Sequence, residues 1–427
     1  MPSASSAPTL PFLERLLDGE KVEWKTLGEV FHTRNGYTPS KANEEFWTDG
    51  TIPWFRMEDI RANGRILYDS ALHITPQAVK RNGLFKANSI ILATSATIGE
   101  HALLLQDALT NQRFTNFEIK EELKNILLPK FAFYYFFIID EWCKKHTIIG
   151  NFPSVDTQQL MELPFPIPPL RVQARIVEIL DKFTQLEAEL EAELEARNKQ
   201  YDFYRNRLLD FALRDDLKGQ VEWKTLGEVC VHLRTGLNPR RNFKLNTEDA
   251  SNYYVTVREL GGTELLYSEK TDLINDEALQ LINNRSKLKV NDILFSGTGT
   301  IGKTAFISKE PTNWNIKEGV YALTLDTHYV LPMFVLRYLQ TQSTIDWIDR
   351  MAAGGIVRSI TMKNLEQLPI PLPPLSEQRR IVDILDRFDT LTNSISEGLP
   401  REIALRRKQY EYYRDALLRF PQPAPTA

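Results

Sequence analysis

The chain carries one pattern twice, and that duplication constrains its fold more than any bulk property. VEWKTLGEV occurs at 22–30 and again, letter for letter, at 221–229. The match then continues in order. HTRNGYTPS (32–40) aligns with HLRTGLNPR (232–240), WFRMEDI (54–60) with YVTVREL (254–260), and NSIILATSATIG (88–99) with NDILFSGTGTIG (291–302). LPKF (128–131) aligns with LPMF (331–334) and LPFPIPPL (163–170) with LPIPLPPL (368–375). RIVEILDKF (175–183) aligns with RIVDILDRF (380–388), and KQYDFYRNRLL (199–209) with KQYEYYRDALL (408–418). Between these islands, as at 61–86 against 261–289, the copies share little. Such self-similarity means one structural plan used twice, here a common scaffold with different surfaces.

Each copy has three zones. The first, about 22–165 and 221–370, holds short runs rich in β-branched and aromatic residues. IPWFRM, SIILAT, YYVTVR, DILFSG and VYALTL predict strands. Apolar residues at helical spacing after LPKF and LPMF predict a helix in each copy. The second zone is PFPIPPL or PIPLPPL. Its prolines bar it from a sheet interior and predict a stiff extended arm that launches a helix; an SH3-type ligand is the other use of such a tract.

The third zone is that helix, about 171–214 and 376–420. Phe183, Leu186, Leu190, Leu194, Tyr201, Tyr204, Leu208 and Phe211 mostly follow alternating three and four spacings, the seam of a coiled coil. EAELEAELEARNK adds charged outer faces and strong helix formers. In the second copy Gly398 and Pro400 predict a kink or break. At ~1.5 Å per residue such a helix makes a rod of roughly 65 Å. The expected fold is α+β: two mixed α/β domains joined by two long antiparallel helices, a coiled-coil dumbbell with an internal pseudo-twofold repeat. In it the C-terminus returns near PFLERLLDG (11–19). The expected divisions are 1–169 and 216–374 for the globular parts, 170–215 for the central helix, and 375–427 for the C-terminal helix and tail.

Composition narrows the function. A net charge of -4 and a pI near 6.0 exclude a globally basic nucleic-acid binder, so contact with a polyanion has to come from local patches. Cys143 and Cys230 form no C-x-x-C pair and cannot build a disulfide framework, which fits a reducing cytoplasm. MPSASSAPTLPFLERLL lacks the basic start and apolar run of a signal peptide. FAFYYFFIID (131–140) is about half a membrane span and predicts a buried core helix. The histidines do not cluster at metal-ligand spacings, and the D/N-P-P-Y/F signature of adenine methyltransferases is absent. No catalytic residue, metal or cofactor is expected.

The order of variable globular part, proline tract, PPL-x-x-Q with RIV-x-ILD-x-F, and long helix, all repeated, resembles the specificity subunit of type I restriction-modification systems. LPIPLPPLSEQRRIVDILDRF (368–388) and KQYEYYRDALLRF (408–420) carry most of the resemblance, with the IPWFR and TIG blocks. Arg171, Val172 and Ala174 depart from Ser376, Glu377 and Arg379 of the second copy. The resemblance implies two target-recognition domains, each reading one half of a bipartite double-stranded DNA site. It implies helices that set the half-site spacing, two modification (methyltransferase) subunits docked on the scaffold, and restriction subunits joined through the complex. It assigns no catalysis to this chain and no membrane. Other readings are a specificity subunit for a fused nuclease-methyltransferase, a P-loop NTPase, and a coiled-coil scaffold without DNA function.

Given that resemblance, the basic-polar loops HTRNGYTPSK (32–41) and HLRTGLNPRRNFK (232–244) are the first DNA candidates, because Arg and Lys bond guanine edges or phosphates and Asn bonds adenine. The candidates there are Arg34, Asn35, Lys41, Arg234, Thr235, Arg240 and Arg241. Arg56, Arg113, Arg258 and Arg358 are added from the neighbouring blocks, and Thr94 and Ser95 from TSATIGEH. GTGTIGKT (297–304) matches the phosphate-loop pattern G-x-x-x-x-G-K-[ST]. A true phosphate loop opens a helix, whereas TAFISKE reads as a strand, and the first copy has Glu100 and His101 in place of Lys303 and Thr304. The segment predicts a turn, with Ser296, Thr298, Thr300 and Lys303 facing DNA.

Overall fold

A computed structural model describes residues 11–148, 153–353, 358–394 and 397–421, the side chains of Pro11, Arg240 and Arg241 excepted. The chain divides into two compact units, one running to Glu189 and resuming at Ile403, the other Leu190–Glu402.

In the first unit a five-stranded sheet runs in the order Phe31–Asn35, Phe114–Ile119, Ile90–Ala93, His101–Leu104, Ile66–Leu67. Beside it stands a three-stranded sheet of His73–Ile74, Ile52–Phe55 and Leu109–Thr110. The second unit repeats the plan. Cys230–Thr235, Val320–Leu325, Ile293–Ser296 and Thr304–Phe306 form a four-stranded sheet, and Leu273–Ile274, Asn252–Val255 and Trp314–Ile316 a three-stranded one. The runs that predicted strands are strands. FAFYYFFIID lies in helix Pro129–Lys145, which is buried in the first core, and among the described residues no helix is long and apolar enough to cross a membrane. Its counterpart in the second unit is Pro332–Leu339, followed after Thr341 by Gln342–Met351.

The proline tract does more than launch a helix. Pro164–Ile167 pairs antiparallel with Glu23–Thr26, and Pro369–Leu372 with Glu222–Thr225 in matching register. The block that is identical in the two copies and the proline block are therefore partners in one ladder. Its prolines alternate, at 164 and 166 and at 369 and 371, so the missing N–H groups fall on one edge of a two-stranded ribbon, where proline is tolerated.

The central helix spans Leu170–Leu209. The C-terminal pair is Leu375–Asn393 and Gly398–Leu418, so the helix breaks where Gly398 and Pro400 predicted. Gly398 has φ +76, a left-handed conformation that glycine adopts without strain. Helical segments pair within each unit. In the first, Phe183 stacks on Tyr413 at 5.6 Å and Glu187 bonds Arg407, so the segments run antiparallel. In the second, Tyr204 stacks on Phe388, also at 5.6 Å, while Arg214 bonds Glu377. Phe420 meets Phe131, and Phe211 meets Phe334, both at 6.1 Å. Each unit thus combines one copy's globular part and helix start with the other copy's helix end.

The glutamine of PPL-x-x-Q has a definite role. Gln173, fully buried, accepts the Leu128 N–H at 2.9 Å and donates to the carbonyls of Ile126 and Pro168, each at 2.7 Å. Gln378 accepts the Leu331 N–H at 2.9 Å and donates to Tyr329 and Pro373. It ties the long helix to the start of the buried one in both units.

Candidate nucleic-acid interface

Each unit has a cleft at the same place in the repeated plan. In the first it is about 310 Å³ and is lined by Thr38, Lys41, Arg56, Glu58, Gln112 and Arg113 among others. In the second it is about 930 Å³ and includes Asn238, Thr256, Arg258, Lys317, Glu318 and Gly319. By the alignment, 38 corresponds to 238 and 56–58 to 256–258; by strand register, in which Arg34 faces Asn116 and Arg234 faces Ala322, 111–113 corresponds to 317–319.

The walls of both clefts are held alike. Trp54 donates its indole N–H to the Tyr37 carbonyl at 3.0 Å, and Tyr254 its hydroxyl to the Leu237 carbonyl at 2.6 Å. The Arg56 N–H bonds Asp59 at 2.7 Å, and the Thr256 N–H bonds Glu259 at 2.8 Å. On this common frame the edges differ throughout: Thr38 against Asn238, Arg56 against Thr256, Glu58 against Arg258, Asn111 against Lys317, Arg113 against Gly319.

The clefts also differ electrically. Lys41, Arg56 and Arg113 face one acid in the first, Glu58, and Arg56 reaches it only at 3.9 Å. Among the described residues neither Lys41 nor Arg113 has an acidic partner. In the second, Arg258 is held by Asp272 at 2.5 Å, and Glu318 stands beside Lys317.

Of the residues predicted from sequence, Lys41, Arg56 and Arg113 meet in the first cleft, and Thr235, Arg258 and Thr298 in the second. Others serve the frame. The Arg34 guanidinium bonds the carbonyls of Asn82, Gly83 and Leu84 and lies over the Phe85 ring, and burial holds its pKa below the usual arginine value. Arg234 donates to buried Asp292 at 2.5 Å and to Thr324 at 2.8 Å. Asn35, Thr115 and Thr94 form a hydrogen-bonded chain, and Ser95 bridges Ser154. Arg358 pairs with Asp349 at 3.0 Å. Arg240 and Arg241 lie on the short helix Pro239–Asn242, but their side chains fall outside the described residues.

The GTGTIGKT segment joins Ile293–Ser296 to Thr304–Phe306 as a hairpin, with Phe295 opposite Thr304, and opens no helix. Gly299 and Gly302 take φ +78 and +89 in that turn. Ser296 is buried and bonds the Thr300 carbonyl and the Lys303 N–H, while Thr300 and Lys303 are exposed. Sequence reasoning missed Thr38, Gln112, Asn238 and Lys317. The signal was the divergent triplets NQR (111–113) and KEG (317–319), each just before an aligned strand.

One plan used twice, with an unlike cleft in each copy, defines a protein of duplicated scaffold and two distinct surfaces. The chain belongs to the family described as the type I restriction modification DNA specificity domain, whose profile matches it twice, at residues 19–196 and 219–405. It is 39% identical over 399 residues to the type I restriction enzyme EcoprrI specificity subunit of Escherichia coli, covering 91% of this chain and 92% of that one. It is 32% identical to the EcoR124I/EcoR124II specificity subunit of the same organism, covering 97% and 98%. Its fold matches a chain solved in work on complex assembly and conformational transition of the type I R-M system, with a TM-score of 0.60, 19% identity, and coverage of 94% and 98%.

Proposed function

We propose that this chain is the non-catalytic specificity subunit of a type I restriction-modification complex. Each cleft reads one half of a bipartite sequence in duplex DNA. The helical segments fix the gap between the halves and dock two methyltransferase subunits, with restriction subunits joining through the complex in the cytoplasm. The observation that carries this reading is the pair of clefts at repeat-related positions, held by equivalent hydrogen bonds yet edged by different residues. Readers of two unlike half-sites need that combination: position is set by the frame, and discrimination by the donors and acceptors at the edge. An acidic chain can serve because the cations of the first cleft are concentrated where they count.

The test is a map of methylated adenines in the host genome. Deleting the gene is expected to abolish one bipartite motif. Replacing Asn111→Lys, Gln112→Glu and Arg113→Gly together is expected to alter one half of that motif and leave the other half and the gap intact. Inserting four residues, about one helical turn, beside Glu189 is expected to change the gap and keep both halves. A motif that survives the deletion sinks the proposal, and a triple variant that alters both halves sinks the assignment of one cleft to one half-site.

A further inference from the structure

A second cavity in the second unit adjoins the cleft described above. It measures about 500 Å³ and lies between the globular part and the helices that flank it. Its charged lining is Arg205, Arg258, Lys303, Arg337 and Asp389, four cations against one acid. Arg337 is 1% exposed and is committed to Asp386 at 2.7 Å and Asp389 at 3.0 Å. Arg205 pairs with Asp202 at 2.8 Å. Lys303 is exposed, and among the described residues no acid pairs with it. The Nε atoms of Arg205 and Arg337 are buried without a hydrogen-bond partner.

The other copy shows what the cavity is not. At the aligned positions the first unit carries different side chains. Phe137 stands where Gln340 does, His101 where Thr304 does, and Glu100 where Lys303 does. Arg65 and Arg414 lie against the Phe137 ring at 4.9 and 4.4 Å, and Arg65 reaches Asp140 at 2.9 Å. Arg205 is the counterpart of Arg414 but has no ring at position 340 to lie on. In its place Gln340 and Thr304 bond the Gly262 carbonyl and leave space beside it. The repeated plan therefore does not require an opening here. The second copy has one, in which Arg205, Arg258 and Arg337 each have an acidic partner and, among the described residues, Lys303 does not, and Arg258 lines both this cavity and the cleft described above.

We propose that this cavity is a phosphate-binding site, with Lys303 and Arg205 as its principal cations and Arg337 as the buried charge behind them. Its occupant is a backbone phosphate of DNA held in the adjoining cleft, because Arg258 joins the two. A compact anionic phosphate group suits a pocket lined by these cations, and phosphate contacts position a duplex without carrying sequence information. The choice of DNA as the source rests on the function proposed above; the phosphate chemistry does not. Nucleotide cradling by GTGTIGKT is a different geometry, since no helix follows Thr304.

The experiment uses the full chain, wild type and Lys303→Glu, which places the acid of position 100 on the same turn, with Lys303→Met as the neutral variant. One arm titrates a duplex bearing the methylated motif and a scrambled duplex across a salt series. A backbone phosphate predicts that Lys303→Glu weakens both duplexes by the same factor, about tenfold or more, and that Lys303→Met lowers the salt slope by about one. The second arm compares melting in inorganic phosphate and in chloride at matched ionic strength. If the DNA arm is unchanged while phosphate raises the melting temperature of wild type but not of Lys303→Glu, the site takes a free phosphate instead. No effect in either arm overturns the proposal, as does a change in half-site preference with Lys303→Met, which would make Lys303 a base reader. Equal binding of both duplexes by wild type counts against the reading of the clefts, and the phosphate arm still decides the cavity.

Discussion

The two copies fasten the buried helix of the globular part to the long helix at the same point, with different chemistry. In the first, Tyr134 donates to Asp181 at 2.6 Å, and Lys130 pairs with the other oxygen of that carboxylate, also at 2.6 Å. In the second, Arg337 stands at the position of Tyr134 and Asp386 at that of Asp181, and Asp389 and the Tyr201 hydroxyl join the cluster. A neutral donor with a half-exposed lysine does in one unit what a buried guanidinium between two carboxylates does in the other. The joint is preserved as a position and a polarity. The buried charge of the second joint brings a vulnerability that the first lacks.

The largest expected effect tests that difference. Arg337→Met leaves Asp389 without its buried partner and is expected to cost the second unit about 3–5 kcal/mol. Hydrogen exchange followed by mass spectrometry should show the loss confined to peptides of the second unit; an equal loss in both would mean that the joints are not separate. Gln173→Ala and Gln378→Ala each strand one N–H and two carbonyls, with an expected cost of about 2–3 kcal/mol. Because the two clamps are the same, the costs should match in urea unfolding, and a disparity would show that one clamp matters more. Tyr134→Phe removes a single bond to a carboxylate that keeps Lys130, so about 1–2 kcal/mol is expected.

The smallest effect is on pH dependence. His101 is fully buried, and burial, working against the neighbouring Asp140, lowers its pKa from the ordinary 6.5. The unfolded chain takes up a proton near 6.5 that the folded chain resists, so the contribution is fullest above that value and is lost as pH falls through it. The first unit should open more readily on mild acidification in exchange experiments, His101→Gln should remove most of that shift, and the second unit, with Thr304 at this position, should not share it.

Much of the fold was legible because periodicity and turn chemistry are local. The strands at 52–55, 90–93 and 320–325, the apolar helix after LPKF, and the break at Gly398 all follow from spacing and special residues. The proline tract was read as an arm because its partner, EWKT, lies about a whole copy's globular part away in sequence, and no local signal announces a ladder of that span. The site was harder. Arg34 and Arg234 share a motif that looks made for DNA, yet three carbonyls hold one and buried Asp292 holds the other. Whether an arginine is free depends on what the fold puts beside it. The duplication predicts two readers, and packing decides which residues edge the cleft in each unit.

The stacked pairs Phe183 with Tyr413 and Phe388 with Tyr204 have one further implication. Each joins the beginning of one copy's helix to the end of the other's, and each copy carries both members. The same holds for Phe131 with Phe420 and Phe334 with Phe211. A single copy of the pattern cannot close these contacts on itself, but it contains every group needed to close them with its twin. Each copy thus supplies the helix end that completes its twin's unit, so the contacts that close the two units are repeated in kind while the edges of their clefts differ.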